Sequence, residues 1–126
     1  MKHKKKKVKL DLKHFYITVT KFPIIICLCG STRFSKAFHE ANLKETLDGK
    51  IVLSIGCDFK SDKDSMLAGQ LTEKDKSRLD ELHLRKIELA DEVLILNVGG
   101  YIGESTKREL AYAQHLNKHI RFLEEV

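Results

Sequence analysis

Three glycines, Gly99, Gly100 and Gly103, stand between the apolar run Val93–Leu96 and a helical pattern that carries Glu109. A strand that ends in a glycine loop and re-enters the fold as a helix presents ligand-binding groups beyond the carboxyl end of a sheet. Glycine lets the backbone approach a ligand closely, and the helix start aims free N–H groups at whatever sits there. The pattern puts Glu109 in the first turn of that helix, where the dipole favours an ionised carboxylate. A fixed carboxylate facing a sugar-sized pocket has the chemistry to attack an anomeric carbon. Thr106 to Glu109 also spells the S/T-x-x-E capping box, in which the glutamate only satisfies an N-cap N–H. On the residues alone the capping box is the favoured reading, because such boxes far outnumber nucleophiles.

A second loop can face the first. Gly30, Ser31, Thr32 and Arg33 follow the apolar run Ile24–Cys29 and precede another helical pattern. Ser31 and Thr32 offer hydroxyls, and Arg33 offers a planar fork suited to phosphate. With the loop from Asn97 through Gly100, Tyr101 and Gly103 to Ser105, these residues form a candidate site for a nucleotide or sugar phosphate. Neither loop has the spacing of the dinucleotide fingerprint or the Walker A motif. Gly-Ser-Thr after a strand is also a common turn and N-cap. Tyr101 can stack on a base or simply cover its loop, and both readings stay open. Cys27, Cys29 and Cys57 can lie near one another at the strand ends, but without an obvious fourth ligand they read as small buried side chains, with no metal and no cofactor expected. The six histidines are scattered, and His83 reads as helix decoration.

The elements that must carry these loops alternate. Apolar runs at Ile24–Cys29, Ile51–Ile55, Glu92–Leu96 and His119–Leu123 read as strands, the first of them buried on both faces. Helical patterns follow from the first loop to about Leu47, with Phe34, Ala37, Phe38, Ala41 and Leu47 on one face, and from Thr72 to Ala90, with Leu79, Leu82, the Lys86 stem, Ile87, Leu89 and Ala90 toward the sheet. A third runs from the glycine loop to about Asn117. Residues 56–71 form a polar loop too long for a simple connection. Strand–helix alternation with solid apolar strands predicts an α/β fold: a flavodoxin-like open parallel sheet of order 2-1-3-4 with helices on both faces. In that order the first and third strands are neighbours, and their loops share one crevice.

With 126 residues, 42% hydrophobic and 33% charged, the chain suits a single domain. The formal charge of +5 is unevenly held: residues 1–21 carry eight lysines against Asp11, leaving a near-neutral body. Residues 1–22 therefore read as a basic tail, with Phe15–Val19 a candidate strand or docking segment, and residues 23–126 as the domain. Lacking aromatic or arginine interleaving, the tail reads as solubilising rather than as a nucleic-acid site. No run is long enough to span a membrane. Lys21 and Pro23 interrupt what would otherwise imitate a signal peptide, and three cysteines without a secretory signal point to a reducing, cytoplasmic setting.

The Gly30–Arg33 turn, the segment Ala90–Asn97 and above all Gly103–Ala113 resemble the nucleoside 2-deoxyribosyltransferase superfamily, which includes 2'-deoxynucleoside 5'-phosphate N-hydrolases. The resemblance covers about residues 24–123, and its most specific element is Glu109-Leu-Ala-Tyr-Ala113. It implies a flavodoxin-like fold and cleavage or transfer at an N-glycosidic bond through a covalent glycosyl–carboxylate intermediate, with Glu109 as the nucleophile. Gly30, Ser31 and Arg33 match the turn that holds the 5' end of the nucleotide, and Ser105 loosely matches a position near the phosphate. A homodimer or larger homo-oligomer is also implied. The chain departs from the family pattern at Leu28–Cys29 (usually a tyrosine), at Asn97 (often an aspartate that assists the leaving base) and at Ala111 (a glycine). The competing expectation is a non-catalytic nucleotide-binding or sensor module of the same fold, with Glu109 only capping its helix.

Overall fold

Ile25 to Cys29 forms the central strand because every one of its side chains finds an apolar face. In the computed structural model, which describes residues 21–56 and 72–126, this strand (β1, Ile25–Cys29) pairs in parallel with both β2 (Ile51–Leu53) and β3 (Glu92–Ile95). β3 in turn pairs in parallel with β4 (His119–Phe122), giving the sheet order β2-β1-β3-β4. The architecture is the expected α/β, flavodoxin-like parallel sheet. The residues of the basic tail before Lys21, the candidate strand Phe15–Val19 and nearly all of the long polar loop, Cys57 included, lie outside the described residues.

The two-residue period of β1 divides the core. Cys27 and Cys29 point to one side, where they join Val93, Ile95, Ile87 of α2 (Glu73–Leu89) and Ala113 of α3 (Glu104–His115). Ile26 and Leu28 point to the other, against Leu94, Leu96, and Phe38 and Ala41 of α1 (Ser35–Leu47). Two helices thus cover one face and one helix the other. Among the described residues no helix is long and apolar enough to cross a membrane.

Several boundaries and faces differ from expectation. β2 stops at Leu53, and β3 at Ile95. Leu47 is exposed, as are Leu82 and Leu89. The reason is angular. At 100° per residue, the α1 stripe set by Phe38 and Ala41 continues through Glu45, and Leu47 falls off it. On α2 the inward stripe is His83 and Ile87, so Leu82 and Leu89 turn outward.

Glu45 is therefore a buried carboxylate on an apolar stripe, only 1% exposed. It is not left unpaired. Lys50 Nζ donates to Glu45 Oε1 at 2.7 Å and to Glu92 Oε1 at 3.2 Å, and the Arg121 guanidinium donates to the same two carboxylates. Two acids and two bases make a charge-balanced cluster that joins α1, β3 and β4. Burial works against the Glu45 charge, but the hydrogen bonds from Lys50 and Arg121 outweigh it and hold the carboxyl below its ordinary value.

α2 opens with a complete capping box. Thr72 Oγ1 accepts from the Asp75 N–H at 3.2 Å, and Asp75 Oδ2 accepts from the Thr72 N–H at 2.9 Å. Asn117, at a φ of 57°, stands in the left-handed region just after α3.

Candidate functional site

The loops leaving β1 and β3 converge beside α2 and the start of α3. Gly30 is held close to β3: a Cβ there would meet Leu96 Cβ at 3.0 Å. Ser31 caps a 3-10 turn, Thr32–Phe34, by accepting from the Arg33 N–H at 3.3 Å, and the turn runs directly into α1. After β3 a second 3-10 turn, Val98–Gly100, uses positive φ at Gly99 (63°) and Gly100 (81°). Tyr101 then reaches back across the crevice. Its ring lies edge-on to Phe34, and the Arg33 guanidinium sits over its face.

A cavity of about 640 Å³ opens between these elements, within the usual range for small-molecule sites. Of the residues singled out in the sequence, Gly30, Ser31, Thr32, Tyr101, Gly103, Ser105 and Glu109 line it. Arg33, Asn97 and Gly100 do not. Arg33 is engaged with Tyr101. Asn97 is buried, and both amide atoms are taken by the backbone of Glu124: Nδ2 donates to its carbonyl at 3.0 Å, and Oδ1 accepts from its N–H at 2.9 Å. The Gly99 N–H donates to the Glu124 carboxylate at 2.7 Å. The glycine loop is thus tied to the segment after β4, and its Gly99 N–H faces a side chain of the protein itself.

Glu109 is not where its motif suggests. α3 begins at Glu104 with Gly103 as N-cap and no side-chain cap, so Glu109 stands in the second turn and the Thr106–Glu109 capping box is not formed. Thr106 is buried inside the helix. Beyond the first turn the dipole gives Glu109 little help. Burial dominates instead and pushes its carboxyl up to about 7, only partly offset by the His83 ring. The uncapped first turn of α3, Glu104 to Thr106, borders the cavity directly.

The other wall comes from α2 and was missed in the sequence. Lys76, Leu79, Asp80 and His83 line it at i, i+3, i+4 and i+7, one stripe of a helix. That spacing is the signal the sequence carries, obscured because the stripe mixes charged residues with one leucine. Lys86, a turn further on, donates from Nζ to the Ser54 carbonyl at 2.6 Å.

His83 does not decorate the helix surface. It is 6% exposed, and its Nε2 lies 3.7 Å from Cys27 Sγ and 3.4 Å from Cys29 Sγ. Both cysteines are fully buried free thiols. The neighbouring Cys29 thiol, aided by His83 and Lys86, outweighs burial and lowers the Cys27 thiol to about 6. Cys29, beside Cys27 and buried, is raised well above its ordinary value. Burial opposes the charge of His83, but Cys27 outweighs it, so the imidazole is held above its ordinary value. No protein-family model matches the chain, and no curated protein matches it.

Proposed function

We propose that this protein cleaves or transfers at the N-glycosidic bond of a (deoxy)nucleoside or its 5'-monophosphate, with Glu109 as the nucleophile. One observation carries the reading: the Glu109 carboxyl, the Ser31–Thr32 turn and the uncapped start of α3 share one cavity of about 640 Å³. The free N–H groups of α3 and the hydroxyls of Ser31 and Thr32 suit the 5' oxygen or phosphate of the sugar. Holding that end orients the anomeric carbon, which is where most of the rate advantage of such a site would arise.

In this mechanism the ionised Glu109 carboxylate attacks C1' as the C1'–N bond breaks, and the base leaves with the bonding pair and takes up a proton from water. Lys76 and Lys86, both on the α2 wall, are the cations available to the charge developing on the base. Water, or the nitrogen of a second base, then displaces the carboxylate from C1' and regenerates Glu109.

A specific observation favours a second reading, a nucleotide-binding module without turnover. Asn97, standing where the resembled family often has an aspartate, is closed off by Glu124 and offers nothing to a departing base.

The test is chromatographic. Wild type and Glu109→Gln are incubated with ribo- and deoxyribonucleosides and their 5'-monophosphates, and released base is measured. Release by wild type, reduced at least about a thousandfold in the variant, is expected of a nucleophile. Equal release from both proteins would remove Glu109 from the mechanism. Thermal stabilisation by a nucleotide without any release would favour the binding module.

A further inference from the structure

We infer that Cys27, Cys29 and His83 form a binding site for one zinc-class divalent metal ion. The inference goes beyond the proposed glycosidase reading and does not rest on it. The strand period places both sulfurs on the same face of β1, and α2 brings the His83 ring onto them. The three ligand atoms lie within 4.8 Å of one another, and all three residues are buried.

The distances are those of a coordination shell. An ion with metal–sulfur bonds of about 2.3 Å and metal–nitrogen bonds of about 2.0–2.1 Å, arranged tetrahedrally, sets its S···N edges at about 3.6 Å. The observed edges are 3.7 Å and 3.4 Å. Hydrogen bonding accounts for them less well. A single ring nitrogen carries either one N–H or one lone pair, yet two sulfurs converge on it. Among the described residues Cys29 Sγ has His83 as its geometric hydrogen-bond partner, and Cys27 adds only a long contact to the Leu28 carbonyl at 3.9 Å.

The donor set also selects the ion. Two thiolates and an imidazole suit zinc over magnesium or calcium, which take oxygen ligands. On binding, Cys29 gives up its thiol proton, Cys27 and His83 give up any proton they hold between them, and each sulfur forms one S–metal bond, so a dication with two thiolates and a neutral imidazole carries no net charge. A neutral unit is what the apolar face formed by Ile87, Val93 and Ile95 can accommodate. His83 borders the cavity, and Glu109 adjoins Cys29. The fourth position therefore opens on that side, as in three-ligand zinc sites that keep one position for water.

The test uses the full chain, purified without a polyhistidine tag, stripped with a chelator under reducing conditions and titrated with Co²⁺. One equivalent is expected to give sulfur-to-cobalt charge-transfer absorption and the visible bands of a tetrahedral ion. Zn²⁺ should displace it, and binding of Zn²⁺ to the stripped protein should release protons. Cys29→Ser and His83→Gln should each weaken binding at least tenfold, while His83→Cys should retain it. Because a core variant can misfold, alkylation of wild-type Cys27 and Cys29 is followed in parallel, and Zn²⁺ should slow both. Absence of charge-transfer absorption, or alkylation unchanged by Zn²⁺, overturns the site. Glu109→Gln separates the two proposals. Loss of base release with the ion retained leaves both standing, whereas loss of the ion makes Glu109 the fourth ligand, keeping the site and removing the nucleophile.

Discussion

The Arg33 guanidinium lies 4.4 Å above the centroid of the Tyr101 ring, linking the turn after β1 to the loop after β3 at the rim of the cavity. The contact bridges the two loops. Exposed cation–π pairs contribute about 0.5–1 kcal/mol. A double-mutant cycle on Arg33→Ala and Tyr101→Ala, read by urea denaturation, should return a coupling in that range. A coupling of zero would mean that the two side chains act independently.

Asn97 makes a second prediction. Asn97→Asp would restore the residue common in the resembled family, yet here it replaces the Nδ2 donor with an oxygen facing the Glu124 carbonyl. The expected result is a loss of about 1–3 kcal/mol in stability, measured by chemical denaturation, with no gain in base release. Increased release at unchanged stability would place Asn97 in the chemistry instead.

The cluster around Glu45 should govern acid stability. Its folded carboxyl lies below its ordinary value of 4.5, so the ionised form is favoured by folding. That contribution is fully present above the unfolded value and is lost as pH falls through the folded one. Glu45→Gln should therefore be clearly less stable than wild type near neutrality, by roughly 2 kcal/mol or more, since Lys50 and Arg121 lose their buried partner. The difference should shrink steadily below about pH 4.5. Urea midpoints across pH 3 to 7 check this, and a pH-independent difference would contradict it.

Helix capping gives a fourth prediction, with an internal control. Thr72→Ala removes the cap of α2 and should cost about 1 kcal/mol. Glu109→Gln removes no cap, because α3 starts at Gly103 and Glu104, so it should not shorten α3. Helical content by circular dichroism and thermal midpoints would distinguish the two. A loss of helix in Glu109→Gln would restore the capping role to that residue.

The fold was readable because the strands are solid apolar runs and the connections are helices, so a parallel sheet leaves few topologies. The two loops were readable for the same reason: strand ends are marked by glycine. What escaped was set by rotation about helix axes. Thr106 and Glu109 have the spacing of a cap, but a helix that begins two residues before Thr106 at Glu104 turns the same pair into a buried threonine and a cavity carboxyl. His83 and Glu45 escaped because polar residues on an inward stripe look like surface residues until their partners are known. Those partners, Cys27 and Cys29 for one, Lys50, Glu92 and Arg121 for the other, are mostly distant in sequence. Asn97 escaped because its partner, Glu124, lies beyond the last strand.

The central place of β1 has a kinetic consequence. Its first neighbour, β2, arrives only after α1 has been crossed, and its second begins about sixty residues further along the chain, with the register pairing Ile26 to Glu92. Among the described residues every strand pairing is parallel, so each must be preceded by closing a long loop. Refolding should be limited by these closures rather than by helix formation, and slower than for helical proteins of similar size. Until α1 and α2 settle on either side, the strand holding Cys27 and Cys29 has both faces and both edges uncovered. The interval in which β1 waits for its neighbours is when this chain is most open to aggregation and to oxidation of its thiols.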